Sequence, residues 1–68
     1  MTKPQIIRNL IELSGCGTIK EFAERHGYTR QRISEWQRGV RNISNTTLEQ
    51  IAKKEGYKLT ITLKLEKL

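Results

Sequence analysis

The stretch TIKEFAERHGYTRQRISEWQRG, residues 18–39, decides the fold, because it contains two short helical patterns separated by only a few residues around Gly27. Glycine is favoured just past the end of a helix, since it readily adopts the left-handed conformation. The pattern predicts helices over about 19–26 and 30–38. Their inward-facing residues are Ile19, Phe22, Ala23 and His26 in the first helix, and Ile33 and Trp36 in the second.

Two further helices are predicted on either side of this pair, over about 3–14 and 45–55. Glycines follow both segments, and residues suited to helix N-caps precede all four helices. The predicted caps are Thr2, Thr18, Thr29 and Ser44, and the first two begin capping boxes with Gln5 and Glu21. The remaining predicted core residues are Ile6, Ile7, Leu10, Ile11, Leu13, Leu48, Ile51 and Ala52, with Val40 and Ile43 pinning the loop between the last two helices.

The segment YKLTITLKL, residues 57–65, alternates apolar and polar residues as a β-strand with one apolar face does. Elsewhere the sequence has no strand pattern, so this strand either packs on its own helices as a single edge or pairs with a second copy. Pairing across a two-fold axis is favoured, because it satisfies one backbone edge per chain and buries both apolar faces. The expected dimer interface is Tyr57, Leu59, Ile61, Leu63 and Leu65.

The predicted fold is therefore mainly α, with four short helices and one C-terminal β-strand that pairs across a homodimer. The expected organisation is a helical domain over 1–56, a dimerisation strand over 57–65 and a short tail over 66–68. At 68 residues the chain is near the lower limit for folding without a metal, disulfides or a partner.

Composition excludes several classes of function. The single cysteine, Cys16, and the single histidine, His26, allow neither an internal disulfide nor zinc-site spacing, so no metal or cofactor is expected. No residues form a catalytic pattern, and no enzyme is predicted. Without an apolar run that could span a bilayer or a signal-peptide core, we expect a cytoplasmic protein with no membrane partner. The net charge of +6 favours a nucleic acid as the partner.

Two helices joined by a short glycine turn, with the small Ala23 where they cross, form a helix-turn-helix, whose second helix is free to enter a major groove of double-stranded DNA. With Ile33 and Trp36 facing the core, the opposite face of that helix is polar. Residues 25–41 contain five arginines and one acid, which favours DNA contact over a merely solvated face. The predicted base contacts are Arg30, Gln31, Arg32 and Glu35.

Residues 18–56 resemble the Cro/C1-type helix-turn-helix family of phage and bacterial transcription regulators. The matching residues are Ala23, Gly27, Ile33, Trp36, Arg38, Gly39, Ser44, Leu48, Ile51 and Ala52. Two positions depart from the family pattern. His26 stands where leucine is usual, and Ile19 stands where a glutamine often reaches a phosphate.

The start of the first motif helix and the loop after the second one are expected to contact phosphates, and the loop does so in similar proteins. Tyr28 is balanced between packing under the turn and donating to a phosphate. The predicted phosphate contacts are Thr18, Lys20, Tyr28, Ser34, Arg38, Arg41 and Asn42.

The most direct hypothesis is a homodimeric repressor or autoregulator that binds a short inverted repeat and blocks polymerase. The alternative is an antitoxin of a toxin–antitoxin pair, which binds a toxin protein as well as its own promoter. A third hypothesis is a protein-interaction module without DNA binding, which the arginine-rich face argues against.

Overall fold

The computed structural model of the protein describes residues 2–60 and 63–68. In these ranges four helices precede a two-stranded antiparallel sheet, and no helix is long and apolar enough to cross a membrane. Helices α1 to α4 cover Lys3–Ser14, Ile19–His26, Arg30–Arg38 and Asn45–Lys54, and strands β1 and β2 cover Tyr57–Leu59 and Leu65–Lys67. The four predicted helices are confirmed, and α4 ends just short of its predicted boundary.

Side-chain caps define where the helices begin. The hydroxyls of the predicted caps Thr2, Thr18, Thr29 and Ser44 each accept a backbone N–H from the first turn. At α1 the capping box is complete, because the Gln5 side chain accepts from the Thr2 amide at 2.9 Å. At α2 the Glu21 carboxylate instead accepts from the amide of Gly17 at 3.1 Å, so the box closes one residue earlier than predicted.

The turn between α2 and α3 depends on the left-handed backbone of Gly27, whose φ is 77°. This conformation lets the Tyr28 amide donate to the carbonyl of Ala23 at 2.9 Å, which closes the end of α2. The chain then enters α3 through the cap Thr29. A residue with a Cβ is strained at this φ, which accounts for glycine at the centre of the motif.

The core lies where the four helices meet. Its buried residues are Ile6, Ile7, Leu10, Phe22, Ala23, Ile33, Trp36, Ile43, Leu48, Ile51 and Ala52. Of the other residues predicted to face inward, Ile11 and Ile19 are partly buried and pack against this core, whereas Leu13 is 52% exposed and Val40 is 67% exposed. Periodicity gives the direction of a side chain but not whether another element lies opposite it. Of the two apolar residues predicted to pin the loop, only Ile43 is buried.

The predicted single strand over 57–65 is wrong, because the chain reverses within this segment. β1 pairs with β2 in register Tyr57↔Lys67, Lys58↔Glu66 and Leu59↔Leu65. Around the reversal, the Thr60 amide donates to the Lys64 carbonyl at 2.9 Å. The reversal includes Leu63, whose φ of 56° is left-handed.

A hairpin satisfies one backbone edge of each strand at the small entropic cost of closing a short loop, so the segment needs no second molecule to form a sheet. Two residues of the predicted tail, Glu66 and Lys67, belong to β2, and the Leu68 amide donates to the Gly56 carbonyl at 3.0 Å. The predicted interface residues Tyr57, Leu59, Leu63 and Leu65 are half-buried and pack on the core of their own chain. Ile61 lies outside the described residues.

A partly buried cluster of polar side chains ties the end of α2 to the end of α4. Nε2 of His26 lies 2.7 Å from a carboxylate oxygen of Glu55, and the two side chains are only 1% and 5% exposed. Arg25 donates to the other carboxylate oxygen at 2.9 Å. His26 was correctly predicted to face inward, whereas Glu55 was not predicted to have a role. Burial lowers the pKa of His26, and the hydrogen bond to Glu55 opposes this only in part.

We expect the free energy of unfolding to fall as the pH is lowered below about 6.5, the ordinary pKa of histidine. The unfolded chain takes up a proton on His26 there, whereas the folded chain resists it, so acid favours the unfolded state. Urea unfolding between pH 7 and 5.5 measures this dependence without titrating most carboxylates. Because His26 is the only histidine, the His26→Gln variant should show a flatter profile, and an unchanged profile would contradict the assignment.

Candidate nucleic-acid interface

The orientation of α3 follows from its two buried side chains. Ile33 is fully buried and Trp36 is 5% exposed. The Tyr28 ring packs edge-on against the Trp36 indole, with a centroid distance of 5.0 Å. Tyr28 therefore also contacts the inward-facing side of α3. Tyr28 thus has the packing role that the sequence allowed, and its contact with a phosphate stays a prediction. The side of α3 opposite Ile33 and Trp36 faces outward.

The N-terminal turn of α3 presents the three residues predicted to reach deepest into a groove. Arg30, Gln31 and Arg32 are all exposed. Within the described part of the chain, the side chains of Arg30 and Gln31 have no hydrogen bond or ion pair. The guanidinium carbon of Arg32 lies 5.8 Å from the centroid of the Trp36 ring, so this arginine is supported by a cation–π contact.

Two other residues that were predicted to contact DNA, Glu35 and Arg41, form an ion pair with each other. Nε of Arg41 lies 3.2 Å from a carboxylate oxygen of Glu35, whose side chain is 19% exposed. The carbonyl of Glu35 also accepts from the amides of Val40 at 3.0 Å and Arg41 at 3.3 Å. Glu35 therefore braces the loop after α3 and partly neutralises the charge of Arg41.

The remaining predicted contacts on this side lie near the end of α3. Arg38 is exposed and its Nε donates to the Ser34 carbonyl at 3.4 Å, while Ser34 is half-buried. Asn42 is exposed in the loop. Arg38 and Asn42 thus extend the outward surface from α3 towards the start of α4.

A surface recess brings the starts of α2 and α3 together, and its lining includes Thr18, Lys20 and Arg30. The positive end of the α2 dipole points into this region, and two cationic side chains flank it. The Thr18 hydroxyl accepts a hydrogen bond from the Glu21 amide at 3.1 Å, so this hydroxyl acts as the N-cap of α2. An anion here would meet the first backbone amides of α2 together with Lys20 and Arg30.

Two residues of α1 position this surface, although sequence reasoning missed them. Nε of Arg8 donates to the carbonyl of Gln37 at 3.0 Å, which holds the last turn of α3. Nζ of Lys3 donates to the carbonyl of Ile43 at 2.9 Å, which holds the loop before α4. Each contact joins residues far apart in sequence, and no local pattern indicates such a pair.

A sequence model described as helix-turn-helix matches residues 17–61, which is more than half of the chain. Comparison with curated proteins and with solved structures gives no significant match. The matched region includes the recess, all of α3 and the loop that follows it. The chain therefore belongs to the Cro/C1-type helix-turn-helix family of DNA-binding transcription regulators.

Proposed function

We propose that this protein is a homodimeric repressor that binds a short inverted repeat with α3 of each protomer in a major groove. The observation that carries the proposal is the outward face at the start of α3. Arg30, Gln31 and Arg32 are exposed there, beside the cationic recess that contains Lys20. A polar, basic helix face next to a cationic recess matches the arrangement that reads DNA by base and backbone contacts together.

In this proposal the first turn of α3 reads bases. Glutamine pairs bidentately with adenine and arginine with guanine, so Gln31 is assigned to an adenine, and Arg30 and Arg32 to guanines. The contact of Arg32 with Trp36 limits the freedom of its side chain before binding, which lowers the entropy lost on contact. Glu35 is less suited to contact a base, because its carboxylate would have to bind a cytosine and Arg41 at the same time.

Phosphate contacts are assigned to both sides of α3. Thr18 and Lys20 lie at the start of α2, and Tyr28 lies in the turn before α3. The others, Ser34, Arg38, Arg41 and Asn42, lie on α3 and in the loop after it. These contacts carry no sequence information themselves, but they set the register of α3 on the duplex. The net charge of +6 supports a large share of phosphate attraction in the affinity.

Homodimerisation is proposed because two-fold DNA sites are read by two-fold proteins. Recognition helices one turn of DNA apart are separated by roughly 34 Å, so each lies about 17 Å from the symmetry axis. The longest dimension of the protomer is 27 Å, which accommodates that distance. Occupying such a site would repress transcription by blocking polymerase. The antitoxin alternative is not favoured, since no observation on the described residues points to a toxin partner.

The test of this function is selection from a pool of random duplexes at about 150 mM salt, at which nonspecific attraction is reduced. The expected result is an enriched inverted repeat whose half-sites are about one helical turn apart. Binding that is steeply dependent on salt, with no enriched sequence, would contradict the proposal.

Gln31→Ala should lower discrimination at one base pair of each half-site by about 1–3 kcal/mol, because it removes one base contact. Competition binding with single-base operator variants measures this. Gln50→Ala is the matched control, since Gln50 is an exposed glutamine that lies on α4 rather than on α3. Equal effects of the two substitutions would show that α3 does not read the bases.

Lys20→Gln should weaken binding to every sequence and reduce the salt slope by about one, because it removes one phosphate contact. The measurement is a salt titration of the selected operator and of an unrelated duplex. Lys53→Gln, which makes the same charge change on α4 beside β1, should leave the slope nearly unchanged. If both variants lose the same amount, only the overall charge matters and the recess has no specific role.

A further inference from the structure

We infer that the groove between α4 and the outer edge of β1 binds an extended segment of another protein, in which apolar and acidic residues alternate. The segment would add a third strand to the hairpin, antiparallel to β1. This inference goes beyond the proposed function, because no residue that lines the groove belongs to α3 or is assigned to a DNA contact. DNA and the segment would therefore not compete for the same side chains.

β1 has an open backbone edge on the side away from β2. In an antiparallel ladder, hydrogen-bonded and non-hydrogen-bonded pairs alternate. The Thr60 amide donates to the Lys64 carbonyl at 2.9 Å, so these two residues form a bonded pair. Two positions earlier, the backbone groups of Lys58 therefore also point towards β2. Those of Tyr57 and Leu59 point away from β2, where a further strand can pair with them.

An apolar groove of about 360 Å³ lies beside this edge. Tyr57 and Leu59 line it from β1, and both are partly buried against the core. Leu68 also lines the groove, and it is 69% exposed. A strand added to β1 would bury apolar surface of Leu68 in addition to pairing with the backbone edge. Burial of this surface favours an apolar side chain in the partner.

The charged residues of the groove indicate the chemistry of the partner. Lys53 of α4 and Lys58 of β1 are exposed, and the groove is lined by one acid, Glu49. None of these three side chains has a hydrogen bond or ion pair within residues 2–60 and 63–68. The groove thus has an excess of positive charge that is available to an acidic segment. A second copy of β1 would bring like charges together, which disfavours it as the occupant.

The register of the edge predicts the pattern of the segment. Side chains that lie directly opposite each other on paired strands point to the same face of a sheet. A carboxylate opposite Lys58 would therefore form a cross-strand ion pair, and its neighbours along the segment would point to the face of Leu59. Apolar side chains fit that face. Because Tyr57 and Leu59 supply the outward backbone groups, the amides of these apolar residues would bond to β1.

The test is fluorescence anisotropy at about 150 mM salt, without DNA, on a labelled short peptide in which glutamate and valine alternate. The wild type should bind this peptide saturably and should bind an analogue with lysine in place of glutamate at least about tenfold more weakly.

Lys58→Glu should weaken binding of the glutamate peptide by about tenfold or more, because it replaces attraction with repulsion. Lys64→Glu is the matched control, since it makes the same charge change on the hairpin at a residue that lines a different groove. It should weaken binding by about twofold or less, because salt screens exposed charges outside the groove. Circular dichroism should show the same helix content for both variants and the wild type.

Two N-methylated glutamate peptides test the strand pairing on the wild-type protein. Methylation of the valine amides should abolish binding, because it removes the donors that face β1, whereas methylation of the glutamate amides should not. Equal effects of the two methylations, an equal loss with Lys64→Glu, or no saturable binding would each overturn the proposal. Sedimentation of the protein alone tests the other occupant. A dimer that Lys58→Glu dissociates would assign the groove to a second copy and would also overturn it.

Discussion

The contact of Ile33 and Trp36 with the core is the constraint on which the DNA-facing surface depends. Successive residues of a helix are rotated by about 100°, so these two buried side chains fix the orientation of all the others on α3. A rotation of α3 by one residue would bury a charged or amide side chain without a partner, at a large cost in desolvation. The packing of Ile33 and Trp36 in the core therefore also determines which residues of α3 face outward. The contact of Tyr28 with the Trp36 indole stabilises the same orientation of the helix.

Ion pairing then divides the basic residues into two groups. Arg25 is bound to the carboxylate of Glu55, which raises the pKa of this arginine, and Arg41 is paired with Glu35. Arg30 and Arg32 have no acidic partner among the described residues. Among the described arginines of residues 25–41, those without an acidic partner are therefore Arg30, Arg32 and Arg38, and all three lie on α3. The number of arginines in the sequence indicates a basic region. Their ion pairs show which of these arginines remain available to bind a ligand.

The four helices were predictable because their signals are local. Threonine and serine caps, glycine ends and apolar periodicity each act within a few residues, and all of them agree along this chain. The role of Glu55 was not predictable, since it depends on a contact with His26 across 29 positions of sequence. Val40 was misassigned for a related reason. The sequence of a loop does not show which of its apolar residues turns towards the core. In this loop Ile43 is buried and Val40 is exposed.

The C-terminal segment illustrates how local pairing competes with pairing between molecules. Alternation over residues 57–65 is compatible with one long strand and also with a hairpin. In the hairpin, Tyr57, Leu59, Leu63 and Leu65 pack on the core, as the apolar face of a single strand would. The left-handed backbone of Leu63 is unfavourable for a bulky residue by roughly 1–3 kcal/mol. Residue propensities therefore do not predict a turn at this position. Backbone bonds across the reversal and the packing of Leu63 on the core offset this cost. A hairpin still has two outer edges, so the sheet reduces the need for a partner without abolishing it.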